Sequence, residues 1–184
     1  MLGDGQMVSR SVFLSWIGLG LGGTLFGTML LGFRNKYNYQ VKRMQLRFPN
    51  LPESFNGLKL VQISDVHSGS LQDIAGVNKG IDLILKENPD MIFFTGDLVN
   101  DRATEMEPLK SSFARLKAPF GVYSTLGNHD YGDYVQWPST AAKQENLAAL
   151  INLHKEMGWD ILMNENRIIE KAEEKIAVLG IENW

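Results

Sequence analysis

The chain has 184 residues, of which 44% are hydrophobic, with a formal net charge of -3 and no cysteine. This length accommodates one domain with an appendage, and the charge shows no global basic excess for binding nucleic acid. The absence of cysteine excludes disulfides and thiolate metal sites, so a metal ion would have to be held by Asp, His and Asn.

The first predicted element is a membrane-spanning helix in residues 11–33, a stretch without any charged side chain. About 20 apolar residues suffice to cross the hydrocarbon core of a bilayer. A cleaved secretory signal would have a shorter apolar region followed by a cleavage site of small residues, which this stretch lacks. We therefore expect residues 1–36 to form an amino-terminal segment with a retained single-pass anchor, followed by a domain in residues 37–184.

Basic residues are distributed unevenly around this segment. Arg10 is the one basic residue close before it, and four follow closely after it: Arg34, Lys36, Lys42 and Arg43. The positive-inside rule therefore predicts that the domain after the anchor lies in the cytoplasm. The sequence at residues 9–14 is similar to a twin-arginine export signal with a single arginine, which favours the opposite side, but the charge count outweighs it.

After the anchor, hydrophobic periodicity predicts strands that alternate with helices. The predicted strands are 37–48, 58–63, 91–95, 121–125, 160–163, 167–171 and 176–180, and the predicted helices are 73–86, 106–116 and 141–157. An alternation of this kind is typical of the α/β class.

Polar segments follow three of these strands: Asp65–His67, Gly96–Asn100 and Gly127–Asp130. Segments at the carboxyl ends of parallel strands converge on one crevice, where α/β proteins bind their ligands. Carboxylates, imidazole and carboxamide oxygen are ligands for hard or borderline divalent metals. The sequence therefore predicts a metal site, and one that holds two ions.

In their order and spacing, the D-x-H, G-D-x-x-N and G-N-H-D segments resemble the calcineurin-like metallophosphoesterase superfamily over residues 58–184. The apolar segment makes the chain similar to membrane-anchored bacterial members such as the UDP-diacylglucosamine hydrolases. The resemblance implies a two-sheet sandwich flanked by helices. It also implies hydrolysis of phosphate mono- or diesters or pyrophosphates with two divalent ions of the Mn, Fe, Zn or Ni class.

The resemblance also implies a role for each site residue. Asp65 and His67 would bind the first ion, Asp97 would bridge both ions, and Asn128 would bind the second. His129 would be the catalytic residue, which protonates the leaving oxygen or neutralises charge on the phosphoryl group.

Superfamily members have an acidic residue that orients the catalytic histidine, at the position where this chain has Asn100. Asn100 itself could accept a hydrogen bond from the ring, and the neighbouring Asp101 or Asp130 could take over that function. The sequence leaves these three alternatives open.

Further histidines follow the G-N-H segment in the superfamily, whereas this chain contains only His67, His129 and His154. His154 lies within a predicted helix and is expected to be a surface residue. The chain therefore resembles the amino-terminal part of a longer protein. We expect residues 34–184 by themselves to bind Mn²⁺ weakly, hydrolyse nothing measurable and tend to aggregate.

The anchor provides the one indication of a substrate, namely a phosphoester or a lipid-linked phosphate at the membrane. Trp137, which follows the third segment, either lines the mouth of the site or packs within its loop. Two other functions remain open. The missing histidines and Asn100 favour a non-catalytic metal-binding or scaffold protein, and two G-x-x-x-G spacings in the apolar segment favour a membrane-assembly module.

Overall fold

The computed structural model describes residues 9–183, and its contacts divide the chain into two parts, residues 1–40 and 41–184. Each part is described by itself. The domain boundary expected after residue 36 stays a prediction.

The first part contains one long helix, α1 (Arg10–Asn35), which begins after Ser9, whose Oγ accepts a hydrogen bond from the Val12 N–H. Residues 10–32 are the one candidate membrane span within residues 9–183, and none of that window is buried. The hydroxyl of Thr24 donates back to the Gly20 carbonyl at 2.8 Å. This bond satisfies a polar group within the helix itself, as an apolar surrounding requires. By length and composition α1 is able to cross a membrane, and its exposure argues against a core helix.

The second part is organised by a parallel sheet in the order β1-β2-β3-β4. Its strands are β1 (Leu60–Ile63), β2 (Met91–Thr95), β3 (Val122–Thr125) and β4 (Asp160–Ile161). The chain connects them through helices α2 (Ile74–Lys86), α3 (Lys110–Phe113) and α4 (Thr140–Glu156). In a parallel sheet all strands end at the same edge, so the polar segments that follow β1, β2 and β3 are neighbours.

A second, antiparallel sheet is formed by the hairpin of β5 (Glu165–Lys171) and β6 (Glu174–Gly180). Ala172 and Glu173 form its turn with φ of 48° and 68°, the left-handed pair that tight hairpins use. A buried cluster joins this hairpin to the parallel sheet and consists of Phe55, Met91, Leu162, Ile169 and Val178. The two sheets with their helices confirm the predicted α/β two-sheet class.

One predicted strand, residues 37–48, is wrong. Between residues 38 and 48 the chain is in neither helix nor strand, and the side chains of Met44, Leu46 and Phe48 are exposed. Alternating hydrophobicity predicts which side chains share a face, but a strand also requires a hydrogen-bonded partner, and none of the described strands pairs with this segment. Arg43 instead pairs with the carboxylate of Glu87 at 2.5 and 2.8 Å.

The helix predicted at residues 106–116 is also largely wrong. The structure has a 3₁₀ turn at Ala103–Met106 and a single α-helical turn, α3. Pro108 lies between them, and because it has no N–H it cannot continue a helical hydrogen-bond ladder. The helices predicted at 73–86 and 141–157 are confirmed as α2 and α4 within a residue at each end.

Candidate metal centre

The loops after β1 and β2 are hydrogen-bonded to each other beyond the ends of the strands. The backbone N–H of Asp65 donates to the Gly96 carbonyl at 3.0 Å, and that of His67 donates to the Asp97 carbonyl at 3.0 Å. These bonds extend the parallel pairing of β1 with β2 into the polar segments. They fix the two segments side by side.

Three of the predicted ligands have a left-handed backbone: φ is 54° at Asp65, 46° at His67 and 57° at Asp97. Residues with a Cβ adopt this conformation at a cost of roughly 1–2 kcal/mol each. Such strain persists where surrounding contacts hold it, and it concentrates at functional sites. Here the inter-loop hydrogen bonds hold it, and the backbone turns abruptly at each of the three side chains.

The loop after β3 lies against the loop after β2 because glycine allows their backbones to approach closely. A Cβ built on Gly127 would collide with Oδ1 and the backbone N of Asp97. The Oδ1 atom of Asp97 accepts a hydrogen bond from the His129 N–H at 2.9 Å. The carboxylate of Asp97, a residue that is only 8% exposed, therefore lies between the first and third segments.

The buried side chain of Asp130 connects the loop after β2 to the loop after β3. Its carboxylate is fully buried and accepts four backbone hydrogen bonds of 2.8–3.2 Å, from the N–H groups of Asp97, Leu98, Val99 and Gly127. Burial raises the pKa of Asp130 to about 6, although the hydrogen bonds from Gly127, Val99 and Leu98 act in the opposite direction. Asp130 thus fixes the loop backbones that carry Asp97 and His129.

The side chains of His67, Asp97 and His129 form the one group of three metal-capable residues found within residues 9–183, with all ligand atoms inside 4.8 Å. Nε2 of His67 lies 3.8 Å from Oδ2 of Asp97. Asp65, Asp97 and Asn128 line a cavity of about 350 Å³ at the same place. The structure therefore brings together all five residues that the sequence singled out, although their individual roles stay predictions.

This set of donors fits a divalent metal. It combines a nearly buried carboxylate, imidazole nitrogens and an amide oxygen, and it contains no thiolate. The imidazole rings of His67 and His129 lie edge to face, with their centres 4.7 Å apart.

The partner of the His129 ring is a backbone group that the sequence did not indicate. Nδ1 of His129 lies 2.8 Å from the carbonyl oxygen of Asn100. Because a carbonyl can only accept, Nδ1 must carry the proton, and Nε2 of the neutral ring is left as the free nitrogen. The acceptor is thus the main chain of Asn100, and none of the three side chains considered from the sequence.

The side chains of the other candidates have different partners. The Asn100 side chain bonds to Ser70, and Oδ1 of Asp101 is buried without a hydrogen-bond partner among the described residues. Glu105 accepts the backbone N–H groups of Asn100, Asp101 and Arg102 at 2.6–3.1 Å. Glu105 thereby fixes the carbonyl that holds His129. Glu105 is the third residue of the 3₁₀ turn that follows Arg102, so its carboxylate caps the start of that turn, although Arg102 is not a residue type typical of a capping box.

Trp137 and His154 were the two remaining residues for which the sequence led to an expectation. Trp137 donates to the Gly132 carbonyl at 2.7 Å and packs under Arg102 at 4.4 Å, so it packs within its loop. His154 is not a surface residue: it is fully buried, and its Nδ1 lies 2.9 Å from Oγ of Ser124. That prediction was wrong because the face of α4 that carries His154 packs onto the sheet.

The sequence analysis also missed Glu182 and Asn183, which line the cavity.

Comparison with known proteins agrees with this geometry. Residues 58–180 match the family model for the calcineurin-like phosphoesterases. The chain belongs to this family. The match covers all three polar segments, and it confirms the resemblance found in the sequence. Members are metal-dependent phosphoesterases, and the carboxylate–imidazole group around Asp97 is the corresponding candidate metal site in this chain.

Relatives with similar sequences include a transmembrane protein and two UDP-2,3-diacylglucosamine pyrophosphatases. A zebrafish (Danio rerio) transmembrane protein with a metallophosphoesterase domain is 27% identical over 78% of this chain and 31% of its own length. The UDP-2,3-diacylglucosamine pyrophosphatases LpxG of Chlamydia trachomatis and Chlamydia muridarum are 42% and 35% identical, over 47% and 52% of this chain. The alignments span 27% and 30% of those two relatives. The chain thus spans less than a third of each of these relatives.

Proposed function

We propose that this phosphoesterase hydrolyses phosphate mono- or diesters or pyrophosphates by means of a dinuclear centre of divalent ions of the Mn, Fe, Zn or Ni class. The observation that carries the proposal is the position of Asp97, whose nearly buried carboxylate is adjacent to both His67 and His129. A carboxylate has two oxygens, so Asp97 is suited to contact two ions at once.

The remaining ligands divide between the two ions. Asp65 and His67 would complete the first site with Asp97, and Asn128 would contribute its neutral oxygen to the second. When bound, the two ions supply Lewis acidity for the phosphoryl group and activate the attacking water. The left-handed backbone at Asp65, His67 and Asp97 holds these donors at one edge of the sheet before any ion arrives.

His129 would act as the proton donor to the leaving oxygen. The Asn100 carbonyl holds the Nδ1 proton, so Nε2 is the nitrogen that gains and gives the transferred proton. An uncharged carbonyl does not favour the protonated ring as strongly as a carboxylate would. It does fix the orientation of the ring, which is what proton transfer to a bound substrate requires.

The substrate that we propose is a lipid-linked phosphate or pyrophosphate. Two features support it: the candidate span in α1 and the similarity to pyrophosphatases that act on a diacylated sugar nucleotide. The excess of basic residues after the span supports a cytoplasmic phosphoesterase domain. Protease added to sealed, right-side-out vesicles should leave residues 41–184 intact, and their digestion without detergent would place the domain outside.

Asp97→Ala in a version of the protein with measurable turnover tests the proposal. Loss of the shared carboxylate should remove both ions and reduce hydrolysis of bis(p-nitrophenyl) phosphate with Mn²⁺ to background. Asp133→Asn is the matched control, because Asp133 is a surface carboxylate paired with Lys143. Retention of two tightly bound ions and near-normal turnover in Asp97→Ala would refute the dinuclear assignment.

A non-catalytic metal-binding protein is the second candidate, and one observation favours it. Of the proposed ligands, only Asp97 and Asn128 serve the second ion, whereas firm sites supply about three or four protein ligands. This function predicts that the unmodified protein binds Mn²⁺ without hydrolysing any phosphate ester. For residues 34–184 alone, this count is the reason that we expect weak Mn²⁺ binding and no measurable turnover.

A further inference from the structure

Tyr134 makes two contacts with the proposed site although no motif includes it. Its ring stacks on the imidazole of His129, with ring centres 4.5 Å apart and planes at 28°. Its hydroxyl oxygen accepts a hydrogen bond from Nδ2 of Asn128 at 2.8 Å. A single side chain thus touches both the proposed proton donor and a proposed ligand.

We propose that Tyr134 is a positioning residue that holds the Asn128 side chain and the His129 ring in place. This inference rests on the roles proposed above for Asn128 and His129. Tyr134 lies outside the G-N-H-D segment, six positions after Asn128 and five after His129.

The Asn128 amide has a donor end and an acceptor end, and only its oxygen can bind a metal ion. The Tyr134 hydroxyl bonds to the NH₂ end. In this orientation Oδ1 is available as a ligand. Because a tyrosine hydroxyl can also donate to Oδ1, the contact restrains the position of the Asn128 side chain, and the bound metal selects the orientation of its amide. Without the hydroxyl, the Asn128 side chain would lose this restraint, and metal binding would have to order it.

Two contacts at right angles restrain the His129 ring. The bond from Nδ1 to the Asn100 carbonyl lies in the plane of the ring and prevents it from flipping. The Tyr134 ring covers one face and limits tilting. Since Tyr134 is 63% exposed, it contributes little to the core, and its replacement should leave the fold intact.

Two variants distinguish the contributions of the hydroxyl and of the ring. Tyr134→Phe keeps the stacked ring and loses the hydroxyl, whereas Tyr134→Leu loses both. A neutral hydrogen bond corresponds to roughly a 2- to 10-fold change in an equilibrium constant. Tyr134→Phe should therefore weaken Mn²⁺ binding about 2- to 10-fold. Tyr123→Phe is the matched control, because Tyr123 is a half-buried residue of β3 packed on Phe93.

The experiment has two readouts on the whole chain, neither of which needs turnover. Equilibrium dialysis measures the affinity for Mn²⁺ alone in Tyr134→Phe, Asn128→Ala and the double variant. We expect the two single effects not to add, since the hydroxyl acts through the Asn128 amide. Nitrogen-15 NMR of the metal-free protein at a pH of about 8, where imidazole is neutral, measures which ring nitrogen of His129 is protonated. The chain has only three histidines, so the signals are readily assigned.

In the NMR spectra we expect the Nδ1-protonated form of His129 in the unmodified protein and in Tyr134→Phe, and a mixture of tautomers in Tyr134→Leu. Unchanged Mn²⁺ affinity in Tyr134→Phe, with weakened binding in Asn128→Ala, would overturn the inference and leave the proposed ligands standing. Unchanged affinity in Asn128→Ala would refute the ligand assignment, and the inference with it. If the His129 signals of Tyr134→Leu are the same as those of the unmodified protein, Tyr134 does not restrain the ring, and that part of the inference is overturned.

Discussion

The buried His154 should make the stability of the protein depend on pH in a way that one substitution removes. His154 is fully buried among Phe94, Trp159 and Ser124, and burial lowers its pKa to about 4. In the unfolded chain the ordinary value is 6.5. The unfolded state therefore binds a proton at a pH where the folded state does not.

The sign and the size follow from these two values. Above a pH of about 6.5 both states are neutral at His154, and the contribution to stability is fully present. As the pH falls, protonation favours the unfolded state by about 2 kcal/mol at pH 5 and by about 3 kcal/mol at and below pH 4. For a chain of this size, 2 kcal/mol corresponds to a melting temperature lower by about 4–8 °C.

His154→Asn isolates this effect, since an amide NH₂ replaces Nδ1 beside Ser124 but does not titrate. Thermal unfolding in detergent, followed by circular dichroism between pH 7.5 and 4.5, would compare the two proteins. The smaller side chain should lower stability by a constant amount at every pH. The difference between the proteins should shrink as the pH falls. Parallel curves over the whole range would refute the reasoning.

Two further outcomes concern the site itself. His129→Asn should leave the metal content unchanged and lower turnover about 10²–10⁴-fold, with a smaller loss for substrates that have very good leaving groups. A parallel fall in metal content would instead show that His129 is a ligand, as its place beside His67 and Asp97 permits. Asp130→Asn should lower the free energy of unfolding by about 2–5 kcal/mol, because an NH₂ group would face two backbone donors that now have an acceptor. The surface control Asp133→Asn should change the free energy of unfolding by less than about 1 kcal/mol. Equal effects of the two substitutions would contradict this account of Asp130.

The sequence by itself was sufficient to locate the site. Asp65, Asp97 and Asn128 each follow a run of apolar residues, and the carboxyl ends of parallel strands must meet at one edge. That convergence depends on chain direction and strand order alone, so no side-chain detail is needed to predict it. The helical spacing that predicted α2 is local in the same way, since residues three and four apart always share a face.

Only the tertiary structure decided which atoms support the site. The Asn100 carbonyl that holds His129 and three of the four N–H groups that bind Asp130 are contacts between loops about thirty residues apart. Such contacts depend on the register of neighbouring strands to within a fraction of a residue, which side-chain patterns do not encode. The same is true of His154, because a helix pattern does not specify which polar residue the sheet will cover. The unpaired segment at residues 38–48 shows the remaining limit: alternation describes a strand's faces, whereas hydrogen bonds to a neighbour make it a strand.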